Sequence, residues 1–213
     1  MLILGHVGIT LGVAVLSLGA LNKGGQLPAT AKKTARASEP PPQMPTTHNY
    51  PNRNKISWFT SAASYIDFRF LLLGSLLPDI IDKPIGIYLF PEIFGSGRIF
   101  CHTLLFTVLL TLAGLYLFRR DGKTWLLALT FGVFMHFILD QMWLYPKTLL
   151  WPAFGIAFDK TSLENWLGNI LVGLFTNPEV FIPELVGAAI LIWFAVVLVH
   201  RKKVCAFIKY GQA

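Results

Sequence analysis

Charged side chains are scarce in this chain: Asp, Glu, Lys and Arg supply 14% of its 213 residues. Soluble domains carry roughly a quarter, so the shortage argues against an ordinary water-facing surface. It does so more firmly than the 54% hydrophobic content, which soluble proteins approach. Cysteine is almost missing. Cys101 and Cys205 lie far apart, which leaves no disulfide to expect and too few thiolates for a zinc ribbon. A continuous basic stripe is missing too. The net charge of +7 comes mostly from short clusters, so nucleic acid is not an expected partner. The length suits one domain over residues 1–213, because the polar loops are too short to form a second core.

What the chain does have is apolar runs. Residues 2–20 form one, with Gly5, Gly8, Gly12 and Gly19 spaced through it. No basic segment precedes it and no small-residue cleavage motif stands out, so a retained helix is expected rather than a removed signal. Residues 22–56 change character, with Lys23, Lys32, Lys33, Arg36, Arg53 and Lys55 among Pro40, Pro41, Pro42, Pro45 and Pro51. That composition predicts a flexible basic loop, and His48 within it reads as a loop residue.

Residues 57–81 are interrupted by Asp67 and Arg69, which leaves Phe70 to Ile81 as the clean run. A run that short does not cross a bilayer. Either a helix starts near Ser57 with Asp67 and Arg69 buried as a pair, or the element crosses half-way; the longer helix is favoured. Ile99 to Phe118, Thr124 to Trp143 and Val180 to Val199 each give about twenty apolar residues, the length of one span. A short amphipathic helix is expected around Leu163 to Phe175. Trp143, Tyr145 and Trp151 mark an interfacial aromatic belt. The expected fold is all-α, an integral membrane helical bundle with about five transmembrane helices.

Basic loops stay cytoplasmic. The 22–56 stretch, the Arg119–Lys123 turn and the Arg201–Lys203 tail all fall on that side if five spans start with the N-terminus outside. His and Asp played no part in that assignment. On it, His6 opens the first span at the outer end, Asp79 and Asp82 close the second there, His102 opens the third, and His136 and Asp140 close the fourth. At 1.5 Å per residue all six lie within roughly 10 Å of the outer interface. His136 and Asp140 are four residues apart and share a helix face, as do Asp79 and Asp82 at three if their helix continues.

Each motif taken singly has a bland reading. An HxxxD pair is more often a buried hydrogen bond than a ligand pair, a DxxD after Pro is often a helix signal, and a lone His6 could be interfacial. Gathered at one level, three imidazoles and three carboxylates suit Zn²⁺, Mn²⁺ or Fe²⁺ and outnumber the donors of one tetrahedral ion. Two neighbouring ions would use them all.

The residues that carry the pattern are His6, the run Gly74-Ser75-Leu76-Leu77-Pro78-Asp79-Ile80-Ile81-Asp82, the run Arg98-Ile99-Phe100-Cys101-His102-Thr103-Leu104, and His136-Phe137-Ile138-Leu139-Asp140. Together they resemble the YdjM-like inner-membrane metal-dependent hydrolases. The resemblance implies a multi-pass protein of a prokaryotic inner membrane whose His and Asp residues bind one to three divalent ions, zinc first and manganese or iron as alternatives. That family is distantly similar to zinc-dependent phospholipase C and single-strand zinc nucleases, which implies phosphoester cleavage. Many members carry a His directly before the Arg, where this chain has Gly97.

The expected function is a metal-dependent hydrolase with its site on the extracytoplasmic side, cleaving a phosphoester in a lipid or lipid-linked substrate of the bilayer. Arg98 is the expected partner of a phosphate oxygen, against the plainer reading of a snorkelling interfacial Arg. The alternative is a non-enzymatic membrane protein whose cluster conducts an ion, holds helices together or binds a partner.

Overall fold

The computed structural model describes residues 2–23, 66–155, 157–158, 160 and 166–211. Among them every regular element is helical. The basic 22–56 loop, with His48, lies outside the described residues except for its first two positions, where the first helix is still running. The order is α1 (Ile3–Lys23), α2 (Phe68–Lys83), a π-helical turn (Pro84–Leu89), α3 (Leu104–Asp121), α4 (Trp125–Leu139), the short α5 (Pro146–Leu149), α6 (Trp166–Thr176), α7 (Pro178–His200) and α8 (Val204–Tyr210).

Two of these, α1 and α7, are long and apolar enough to cross a membrane. The other expected spans differ. α4 has 15 residues and α2 has 16, short of the roughly twenty a straight crossing needs. α3 has 18 residues but ends in Arg119, Arg120 and Asp121. Five spans are therefore not established.

The start of α2 corrects the favoured reading of that segment. The helix does not run through Asp67; it begins at Phe68, with the Asp67 carboxylate accepting from the Arg69 backbone N–H at 3.0 Å. The Asp67–Arg69 ion pair is present, at 2.7 Å, but as part of this cap and not inside a longer helix. A cap of this kind satisfies one of the orphan donors at a helix start. Likewise His102 does not sit in the first turn of α3. Thr103 is the cap, its Oγ1 accepting from Phe106 N at 3.1 Å, so His102 belongs to the turn before the helix.

Without water to drive helices together inside a bilayer, association rests on close packing, and small residues permit it. Two crossings show this. At the α2–α4 crossing, a methyl group on Gly74 would run into the Leu129 carbonyl, and one on Gly132 into the Leu71 carbonyl. At the α1–α7 crossing, Gly8 and Gly187 meet in the same way. Leu11, Leu71, Phe68, Phe194 and Leu198 fill one buried cluster, and Leu129, Val133, Phe137 and Met142 a second.

Chain direction then decides where side chains gather. α1 and α7 run parallel, since Leu2 and Leu4 contact Glu184 while Gly12 contacts Ile190. α2 and α4 end where α1 and α3 begin, so His6, Asp79, His102, His136 and Asp140 meet at one end of the bundle. At the opposite end of α2, Arg69 donates to Ile208 O of α8 and Phe68 N to Gly211 O.

Candidate metal centre

His136 faces α2 from the last turn of α4, and its Nδ1 lies 2.8 Å from the Ser75 carbonyl. That oxygen can only accept, so Nδ1 carries the proton and Nε2 is left with its lone pair. The Gly74–Gly132 crossing brings the two backbones close enough for this bond. His102 repeats the logic with a carboxylate: its Nδ1 stands 2.7 Å from Asp82 Oδ2. His6 repeats it a third time, with Nδ1 2.7 Å from the Leu2 carbonyl one turn back on α1. All three rings are buried.

The unprotonated Nε2 atoms of His102 and His136 are thus turned toward a shared spot. The Nε2 atoms of His102 and His136 are 3.2 Å apart. Asp79 Oδ1 lies 3.6 Å from the first and 3.9 Å from the second, and Asp140 Oδ2 lies 4.0 Å from His136 Nε2. Donor atoms of Asp79, His102, His136 and Asp140 all fall within 4.8 Å of one another. A tetrahedral zinc ion with bonds of about 2.0–2.1 Å needs ligand atoms about 3.3 Å apart, a separation that the 3.2 and 3.6 Å pairs approach.

His6 joins from the side. Its ring stacks on His136 with centroids 4.3 Å apart, and its Nε2 is 3.2 Å from Asp140 Oδ1. His6 Nε2 and Asp79 Oδ1 are buried and make no hydrogen bond. Lone pairs this close repel unless protons or a cation stand among them. A divalent ion fits the donor set.

Asp82 departs from the expectation that it is a ligand. It is fully buried, and its carboxylate accepts from the backbone N–H groups of Ile99 (2.9 Å), Cys101 (3.0 Å) and His102 (3.1 Å) as well as from His102 Nδ1. Its oxygens are committed to the turn that presents His102. Histidines that bind metals usually donate their other nitrogen to such a group, which fixes the ring and its tautomer. Asp79, three residues earlier, faces the cluster.

Two cations close the rim. Arg98 donates from Nε and Nη2 to Asp140 Oδ2 at 3.1 and 3.0 Å, and its guanidinium lies over the Tyr145 ring at 4.7 Å. Lys83 donates to Asp79 Oδ2 at 2.6 Å, from four residues along α2. Arg98 was an expected site residue; Lys83 was not, although its spacing from Asp79 was there to be read. The π-helical turn matters here. A methyl on Gly86 would meet the Ser96 carbonyl, so this turn allows the 95–103 segment to approach. Such turns are frequent at functional sites.

The molecule is therefore a helical membrane protein with a buried His/Asp cluster able to hold a metal ion at one end of its bundle. The chain belongs to the YdjM inner membrane protein family, whose model matches residues 47–208. It is a protein of the inner membrane. No curated protein and no solved structure matches the chain. The match includes Asp79, Asp82, Arg98, His102, His136 and Asp140, while His6 lies before it.

Proposed function

We propose that this chain is a metal-dependent hydrolase of the inner membrane that cleaves a phosphoester in a lipid or lipid-linked substrate at the extracytoplasmic interface. The observation that carries the reading is the convergence of the His102 and His136 Nε2 lone pairs with the carboxylates of Asp79 and Asp140, which Lys83 and Arg98 bond from the rim. Asp79, His102, His136 and Asp140 would hold the ion, with His6 beside them. Zinc suits this mixture of nitrogen and oxygen donors. Such an ion supplies a Lewis acid and makes a water molecule acidic near neutral pH.

The chain's own residues supply the rest. Ser75 O, Asp82 and Leu2 O keep the three rings in the tautomer that turns Nε2 inward. Arg98 makes its two bonds to Asp140 through Nε and Nη2, so Nη1 is available to a phosphate oxygen. Lys83 offers a second cation on the Asp79 side. With Asp79, Asp82 and Asp140 against Arg98 and Lys83, one divalent ion turns the cluster from net negative to net positive. That favours an anionic substrate.

Lipid is favoured by level. Trp143, Tyr145, Tyr88 and Phe90 are exposed around the same end, as aromatic side chains are at an interface. The Arg119–Lys123 turn and Arg201–Lys203 lie at the other end, which on the positive-inside rule puts the site outside. An ion pathway is the weaker reading. Beyond the site, α1 up to Asn22, α2 back to Phe70, α3 to Phe118 and α4 hold no further Asp, Glu, His, Lys or Arg to relay a charge.

The test is elemental analysis of detergent-purified protein beside a His102→Ala/His136→Ala double variant. One to three equivalents of zinc, manganese or iron in the wild type and none in the variant is the expected result, followed by release of phosphate or headgroup from phospholipid or lipid-phosphate substrates. A wild type that takes up none of these ions would overturn the reading.

A further inference from the structure

α7 carries a carboxylate that its sequence does not explain. Its ionisable groups are Glu179 in the first turn, His200 in the last, and Glu184. Glu184 is buried, only 7% exposed, in an apolar helix. A carboxylate in such a setting needs strong partners. It has two, both at the start of α1: Leu2, the residue before the helix, and Leu4 in its first turn. Leu2 N–H donates to Glu184 Oε1 at 2.7 Å, and Leu4 N–H to Oε2 at 2.9 Å. These are backbone donors from the start of α1, where amides have no intrahelical acceptor, and a negative charge at this end also suits the helix dipole.

The same turn leads to the site. Leu2, whose amide Glu184 holds, offers its carbonyl to His6 Nδ1 at 2.7 Å. A methyl on Gly187 would run into the Leu4 carbonyl, so α7 meets α1 at backbone distance just where Glu184 grips it. The chain of contacts therefore reads Glu184, Leu2, His6, and then Asp140 at 3.2 Å.

We propose that Glu184 is a positioning residue of the metal centre: it docks the first turn of α1 onto α7 and so sets His6 against Asp140 and His136. The inference rests on the metal reading above and adds a group outside the cluster to it. Asp82 does for His102 directly what Glu184 does for His6 through one residue of backbone. The division also follows the family match. Glu184 lies within the matched residues 47–208, and the histidine it positions lies before them.

The experiment measures zinc affinity by competition with a chromophoric chelator, and the visible spectrum of the cobalt(II) form, on the full chain in detergent. Its variants are Glu184→Ala, Glu184→Gln, His6→Ala, the His6→Ala/Glu184→Ala double, and Glu179→Gln as the control in the same helix. The expected result is a loss of about 10–100-fold in affinity for each Glu184 variant, the range seen when groups that orient metal ligands are removed. The cobalt spectrum should shift as it does in His6→Ala, the double variant should bind no worse than His6→Ala, and Glu179→Gln should match the wild type. A purely structural role for Glu184 predicts losses that multiply in the double variant and a cobalt spectrum unlike that of His6→Ala; either overturns the proposal. If Glu184→Ala does not fold, Glu184→Gln decides, since it keeps the shape and one oxygen acceptor. Wild-type binding with unchanged Glu184 variants sinks this inference alone, whereas a wild type that binds neither ion sinks the metal reading with it.

Discussion

The α2–α4 crossing and the α1–α7 crossing use the same packing device and bear different loads. Each brings two backbones together at paired glycines, Gly74 with Gly132 and Gly8 with Gly187. The first crossing sets Asp79 beside His136 and ties His136 to the Ser75 carbonyl, and the turn before α3 adds His102 through Asp82. The second delivers one histidine, His6, to the flank of that group. The difference teaches how the centre is layered. Four donors come together from the matched family region, and the fifth arrives on a helix outside it. Damage to the first crossing should therefore abolish the centre, while damage to the second should only weaken it.

The largest effect is expected at Asp82. Replacing it by alanine strands the N–H groups of Ile99, Cys101 and His102 together with His102 Nδ1, all turned into a buried space. Leaving a buried donor of this kind unpaired costs about 1–3 kcal/mol, and here several are stranded at once. Asp82→Ala should lose its metal and unfold at markedly lower temperature, read by elemental analysis and a thermal melt in detergent. Cys101 reports the same event. Burial, with the Asp82 carboxylate adding to it, pushes the Cys101 thiol up to about 12. The reactive thiolate is thus nearly missing at pH 8 and grows only as pH rises toward that value. In the wild type a maleimide at pH 8 should label the exposed Cys205 and spare Cys101; in Asp82→Ala both should react. A variant that keeps both its metal and its protected Cys101 would show that Asp82 does not hold the turn.

A smaller and more discriminating contrast comes from the glycines themselves. Gly132→Val should drive α4 from α2, pull His136 off Ser75 and leave no bound metal. Gly8→Val should push α1 from α7 and cost about 10–100-fold in zinc affinity, the scale of a lost orienting group, with the four-donor cluster retained. Equal losses in the two variants would erase the distinction between the crossings.

Much of this arrangement was readable before any coordinates. Apolar length marked α1 and α7, and the placement of basic turns sorted His6, Asp79, His102, His136 and Asp140 to one end. The i, i+4 spacing of His136 and Asp140 survives with Asp140 as the residue that closes α4. What could not be read was the fate of each carboxylate. Asp79 and Asp82 look interchangeable in a DxxD motif, yet one faces imidazoles and the other is consumed by amides some twenty residues away, and a backbone N–H leaves no mark in a sequence. Glu184 left a mark that went unread: a carboxylate in an apolar run asks for a partner, just as Asp79 does. Helix lengths were overestimated because apolar residues continue into the capped turns at Thr103 and Asp140, where the chain stops being helical.

The smallest effect is expected at the far end of α2, and it tests whether the layering is confined to the site. Asp67 caps this helix, accepting from Arg69 N at 3.0 Å and pairing with the Arg69 side chain. Loss of such a cap costs about 1 kcal/mol. α2 is also fastened there by Phe68 N to Gly211 O at 2.9 Å and by Arg69 Nη1 to Ile208 O at 2.8 Å, neither of which needs the Asp67 carboxylate as an acceptor. Asp67→Ala should therefore lower thermal stability slightly while zinc content and affinity stay at the wild-type level. The reason is mechanical. From Asp67 to Asp79 is twelve residues of helix, about 18 Å at 1.5 Å per residue, and the Gly74–Gly132 contact clamps α2 to α4 between the two ends. Fraying at the start of α2 is stopped at that clamp before it reaches Asp79. A loss of zinc affinity in Asp67→Ala would mean that the clamp transmits motion rather than arresting it, and the two ends of α2 would have to be treated as one unit.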